Sequence, residues 1–199
     1  MRRPGWLIPV GVIVGVLVLV VFPLIGSYNG LVTRRAAVDQ SFADLDAQLQ
    51  RRNDLIPNVV NAVRAALKQE QAVFGEIARA RQGYAGAQTV QQKAQASATI
   101  DSALARLLVI VENYPQLRSN DNIRDLQTQL EGTENRIAQS RRDYNAIATS
   151  YNVAIRKFPR NLVAGMFGFH EKQLFNAPPG AREAPNVNLD NAFSPSPSP

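Results

Sequence analysis

The sequence predicts an all-α protein, with an N-terminal transmembrane helix followed by an antiparallel up-and-down four-helix bundle. Three observations carry that expectation. The first is the uncharged run from Trp6 to Ile25, which at about 20 residues has the length a helix needs to cross bilayer hydrocarbon. The second is apolar spacing by threes and fours through most of the chain beyond that run, the mark of a helix with one buried face. The third is the near absence of alternating apolar and polar residues outside the anchor, which leaves strands without support.

The anchor comes first. Gly5 and Trp6 open it, Tyr28 closes it, and Arg2 and Arg3 sit just outside, so both ends carry the aromatic or cationic groups expected at headgroup level. Pro9 and Pro23 fall near its ends, where a lost hydrogen bond costs least. A cleaved signal peptide would want a shorter apolar core of roughly 7–15 residues and a small-x-small site directly after it. Ile25-Gly26-Ser27-Tyr28 meets that poorly, and the absence of cysteine excludes a lipoprotein anchor. The expected location is a cell membrane crossed once. Arg2, Arg3 and the terminal amine favour a cytoplasmic N-terminus and an extracytoplasmic domain, although Arg34 and Arg35 nearly cancel them.

Beyond the anchor lie four apolar stripes. Val38, Phe42, Leu45 and Leu49 line one face of a helix over about residues 28–51. Ile56, Val60, Val63, Leu67, Phe74 and Ile77 mark a second, interrupted at Glu70, with Asn53 or Asp54 as its cap and Pro57 in its first turn. Ile100, Leu104, Leu107, Leu108 and Val111 mark a third, preceded by a break at Gly83 and Gly86 and ended by Tyr114-Pro115. The last is the longest: Ile123, Leu126, Leu130, Thr133, Ile137, Ser140, Tyr144, Ile147, Tyr151 and Ala154, capped by Ser119 or Asn120 and stopped by Pro159. The first two stripes run in phase from Leu49 to Ile56 with no glycine between them, so one long kinked helix competes with two. Four helices of roughly 24, 28, 26 and 38 residues make the better matched bundle and are expected.

The resulting organisation is a short tail over 1–5, a transmembrane helix over 6–26, a bundle domain over 27–176 and a disordered Pro/Ser-rich tail over 177–199. The formal charge of +6 comes mainly from dispersed arginines, with pairs at Arg34/Arg35, Arg51/Arg52 and Arg141/Arg142. That pattern reads as a solvated helix surface suited to anionic headgroups, and no nucleic acid is expected as a partner.

Three blocks carry a family resemblance: Tyr28-Asn29-Gly30-Leu31-Val32; Arg51-Arg52-Asn53-Asp54-Leu55-Ile56-Pro57-Asn58-Val59-Val60; and Tyr151-Asn152 through Phe158-Pro159-Arg160-Asn161-Leu162 to Phe167-Gly168-Phe169. In that order they resemble the LemA family, over roughly residues 6–175. The resemblance implies a single-pass bacterial membrane protein with an antiparallel helical bundle. It also singles out Tyr28, Asn29, Arg52, Asp54, Pro57, Asn58, Pro159, Asn161 and Gly168 as family-motif positions. The chain departs from the family at its tail and at Ser41-Phe42, where members commonly carry an alanine-tryptophan pair.

Catalytic constellations are missing from the sequence. His170 is the only histidine, so neither a histidine-based triad nor a two-histidine metal site can be built. No Glu-x-x-His motif occurs, which di-iron bundles use. Asp44 and Asp46 point to different faces, Glu131 and Glu134 share a face and solvate it, and Gly165-x-x-Gly168 lacks a phosphate-binding loop around it. No enzyme activity, cofactor or metal is expected. The best candidate for function is the basic and aromatic mixture from Arg156 to Phe175, with Arg156, Lys157, Phe158, Arg160, Leu162, Met166, Phe167 and Phe169 as a candidate interface. Its competing reading is that the phenylalanines only cap the core.

The expectation is a noncatalytic membrane-anchored scaffold or adaptor, with membrane lipid and an unidentified membrane or envelope protein as partners. The family resemblance suggests a membrane metalloprotease or an envelope-stress component as that partner. A ligand-sensing bundle with a buried pocket is the alternative. A carboxylate-dependent hydrolase is the third reading, and it would require paired carboxylates in one cavity.

Overall fold

In the computed structural model, which describes residues 7–66 and 71–176, the regular structure is helical throughout. The chain runs through α1 (Leu7–Ala66), α2 (Gln71–Gly86), α3 (Val90–Asn113), α4 (Pro115–Arg118), α5 (Asp121–Arg156) and α6 (Arg160–Phe167). Residues 1–6 and 177–199, which hold the two expected tails, lie outside the described residues.

α1 is the axis of the molecule. Its N-terminal section contains an 18-residue window of mean hydropathy 2.7, none of it buried against protein. From Leu31 onward it carries a buried stripe through Val38, Leu45, Leu49, Ile56, Val59 and Val63. α2 folds back along the far end of α1: the Arg64 guanidinium lies 5.0 Å from the centre of the Phe74 ring, and Tyr84 Oη donates to Asp46 at 2.8 Å. α3 runs outward again, opened by a Thr89–Gln92 capping box. α5 returns along the part of α1 beyond its apolar section and is capped by Asn120, whose side chain accepts from the Ile123 N–H.

The expected cut between a first and a second helix does not exist. α1 continues through residues 51–57 without interruption, and the expected second helix is divided instead into the end of α1 and the separate α2. The in-phase stripe from Leu49 to Ile56 was the informative signal, and the expected Asn53 or Asp54 cap and matched helix lengths were not. Tertiary structure makes this possible. Pro57 has no N–H to give the Asn53 carbonyl four residues earlier, a loss that normally breaks a helix. Arg81 Nε on α2 donates to that carbonyl at 3.2 Å and also approaches the Asn53 side-chain oxygen at 3.3 Å. The orphaned acceptor is thereby satisfied and the helix passes through.

The stripes otherwise hold their register. In α5 Ile123, Leu130, Thr133, Ile137, Tyr144, Tyr151 and Ala154 are buried, with Leu126, Ser140 and Ile147 half-buried. Among the described residues Leu108 is the exception, 41 % exposed on α3, while Leu67 of the second stripe and Glu70, which interrupts it, lie outside the described residues.

Because α2 and α3 are shorter than α5, they flank only the half of the α1–α5 pair far from the apolar section. Lys93 and Tyr84 mark where they stop, both meeting Asp46. Nearer the apolar section α6 and the extended segment 168–176 take over. Gly168 adopts the left-handed conformation, φ 70°, that ends α6 and turns the chain back along α1 and α5.

Candidate interaction surfaces at the two ends of the bundle

At the near end, α6 packs its Val163 and Ala164 against α1 and α5 and leaves its opposite face open. Leu162, Met166 and Phe167 on α6 are 52, 74 and 59 % exposed, and Phe158 in the turn before it is 79 % exposed, an apolar surface that a soluble protein rarely tolerates. The Tyr28 ring, three residues past Ile25, touches Phe167 at 4.9 Å and Phe169 at 5.8 Å between centroids. That contact fixes α6 level with the end of the apolar section.

The predicted interface divides under this geometry. Phe158, Leu162, Met166 and Phe167 lie together on the open face, with Lys157 exposed and Arg160 half-buried beside them. Arg156 is exposed but bonded to Glu171 at 2.6 Å. Phe169 is corrected: only 8 % exposed, it belongs to the core with Phe175, so the core-cap reading holds for these two rings and not for the rest.

Segment 168–176, which the sequence did not single out as a structural element, is held by two asparagines one heptad apart on α5. Asn152 accepts from the Lys172 N–H and donates to its carbonyl, both at 2.8 Å. Asn145 does the same for Phe175, at 2.8 and 3.2 Å. Each amide thus supplies the donor and acceptor that a neighbouring strand would. Tyr144 Oη donates to the Gln173 carbonyl at 2.5 Å, and Lys172 Nζ meets Asp39 at 2.6 Å. Burial pushes the Tyr144 hydroxyl up, with the charge of Asp39 adding to it, so it stays a donor at neutral pH.

At the far end the organising side chain is Arg52, 1 % exposed. Its Nη1 binds the carboxylates of Asp101 on α3 and Glu134 on α5, the latter at 2.9 Å, and its Nη2 donates to Ser97 Oγ at 2.7 Å. One guanidinium therefore ties three helices together. Asp101 is half-exposed, and partial burial, reinforced by the charge of Glu134, raises its pKa against the opposing pull of Arg52. Beside this cluster a half-open cleft of about 440 Å³ runs between α3 and α5, floored by Val59, Leu104, Leu107 and Ile123 and edged by Glu131.

The remaining motif positions do local work. Asn29 gives its carbonyl to Thr33 Oγ1, Asp54 accepts from Gln50, and the Asn161 N–H donates to the Lys157 carbonyl in the first turn of α6. Asn58 and Asn161 are exposed, Pro57 and Pro159 half-buried. Ser41 is buried, and the Phe42 ring packs against Tyr144 at 5.4 Å. Among the described residues no three His, Asp or Glu side chains converge on a metal-sized site. Asp101 and Glu134 do converge, as the hydrolase reading required, but Arg52 binds an oxygen of each.

The family model described as the LemA family matches residues 41–189. The chain is also similar to magnetosome protein MamQ 2 and magnetosome protein MamQ 1 of Paramagnetospirillum magneticum. Each is 29 % identical over 195 residues, covering 84 % of this chain and 72 % of the relative. Magnetosome protein MamQ of Magnetospirillum gryphiswaldense is 29 % identical over 194 residues, covering 83 % and 71 %.

Proposed function

The chain belongs to the LemA family and is a membrane-associated helical protein, and from that premise we propose that it is a noncatalytic single-pass scaffold, standing upright on its bilayer. The observation that carries this reading is continuity: one helix, α1, runs without a break from the exposed apolar section into the core of the bundle. A rigid helical joint transmits orientation, which a flexible linker would not. The open apolar surface of α6 and the turn before it lies at the foot of that helix, where Phe158 and Met166 enter the headgroup region and Lys157 and Arg160 meet anionic lipid. Two contacts with the bilayer, the span and α6, resist tilting of the bundle.

The far half is then held away from the membrane to meet a protein. That the similar proteins are named for a cellular structure and not for a reaction supports a structural role. So does the use of both Asp101 and Glu134 as partners of Arg52.

The test exploits the absence of native cysteine. Met166→Cys and, as a control on the far end, Val109→Cys are labelled with an environment-sensitive fluorophore in full-length protein reconstituted into bilayers containing brominated lipid. The label at 166 is quenched by lipid and the label at 109 is not. Equal quenching at both positions, or none at 166, refutes the upright, α6-supported arrangement.

A further inference from the structure

The bilayer contacts leave the cleft between α3 and α5 unused, and its height, length and charge define what fits it. Val59, on its floor, lies 33 residues beyond Gly26 on the same helix. At about 1.5 Å per residue that is roughly 50 Å from the end of the span, and still about 38 Å at a 40° tilt. Headgroups extend only about 5–8 Å beyond the hydrocarbon. Neither the anchoring bilayer nor the α6 of a second copy in the same membrane reaches it.

The walls run from Asp101 to Val111 on α3 and from Ile123 to Asn135 on α5, each about 15–18 Å long, the length of three helical turns. With Val59 of α1 on its floor and α3 and α5 as its walls, the cleft is an apolar trough long enough to take a helix. Leu108, the one member of the α3 stripe left exposed, lies in it. Its rim is acidic: Asp101, Glu131 and Glu134 line it, and the cation bonded there, Arg52, is buried beneath them.

We propose that this cleft is a docking groove for an amphipathic helix of a protein partner, one with an apolar i, i+4, i+7 row and Lys or Arg beside it. The proposal rests on the scaffold reading and names the chemistry of the partner. The apolar row fills the trough and covers Leu108, and the partner's basic residues meet the carboxylate rim.

The experiment uses the full chain in nanodiscs of zwitterionic lipid, which gives basic peptides no anionic surface. The probe is a fluorescent synthetic helix of about three to four turns with a leucine row and lysines elsewhere, compared with a glutamate-for-lysine version. The lysine peptide binds one per chain, at least about tenfold tighter than the glutamate peptide, and weakens as salt is raised. Leu108→Gln, at an exposed position that the fold does not need, weakens it about tenfold, and Glu131→Gln about two- to fivefold. Phe158→Ser with Met166→Ser leaves peptide binding unchanged, so failure of the groove and failure of the bilayer contact are distinguishable. Equal binding of both peptides, indifference to Leu108→Gln, or one-to-one binding of dodecylammonium with no peptide binding overturns the proposal, the last outcome assigning the cleft to a small cationic amphiphile.

Discussion

Around Arg52 four helices surround the core, whereas nearer the apolar section α1 and α5 are joined by the short α6 and the extended segment 168–176, which take the place of α2 and α3. The two halves satisfy polar groups by opposite routes. A helix saturates its own backbone, so α2 and α3 need offer only side chains, and the far half can be tied together by one buried charge reaching three elements. An extended segment has no internal partners, so its N–H and C=O groups must be met from outside. Asn145, Asn152 and Tyr144 do this. Specificity therefore resides in ion pairing at one end and in side-chain amides at the other, on the same pair of long helices.

The sharpest way to break the symmetry is Arg52→Met. Removing one partner from a buried ion pair costs about 3–5 kcal/mol when the other charges stay buried. Asp101 and Glu134 are each about half-exposed and regain water, so a loss of about 2–3 kcal/mol is expected. Hydrogen exchange should accelerate in α2 and α3 while the amides of residues 172–175 stay protected. Uniform acceleration would mean that the two halves unfold as one unit.

Asn152→Ala is the converse. It leaves the Lys172 N–H and carbonyl without their partner, at a cost of about 1–2 kcal/mol. Exchange should rise through 169–176 and not in α3. If α3 responds equally, segment 168–176 supports the whole bundle and not merely its near half.

The smallest effect separates the ends by pH. The Asp101 pKa is raised in the fold, chiefly by burial, so the folded state favours its neutral form. The resulting stability is present below the ordinary aspartate pKa of about 4 and is lost as pH rises through the raised value. Since the carboxylate is half-exposed, the step should be under about 1 kcal/mol. Melting monitored by circular dichroism should show it, and Asp101→Asn should remove it while an Asn152→Ala background keeps it. A step of opposite sign would mean that the Arg52 pairing, not burial, dominates.

Local periodicity was enough to specify the helical class, the apolar span and the buried face of each long helix, because a stripe of apolar residues at helical spacing has one way to leave water. It placed Ile123, Ile137, Tyr144 and Tyr151 in the core, and Asn120 at a helix start and Tyr114 at a helix end. The open face of α6 was legible as a basic and aromatic cluster for the same reason, down to Phe158, Met166 and Phe167.

The tertiary structure decided which surface covers which stripe. Pro57 reads as a boundary until Arg81, 24 residues further on, supplies the hydrogen bond that proline withholds. Leu108 and Phe169 have the same apolar character, yet one lines the cleft between α3 and α5 and the other is closed into the core beside Tyr28 of α1. Arg52 stood out in the sequence only as a family-motif position, and its burial depends on the approach of Ser97, Asp101 and Glu134 from two other helices. Spacing along the chain records the environment a side chain needs, and the partner that provides it comes from residues far away in sequence, where no local pattern reaches.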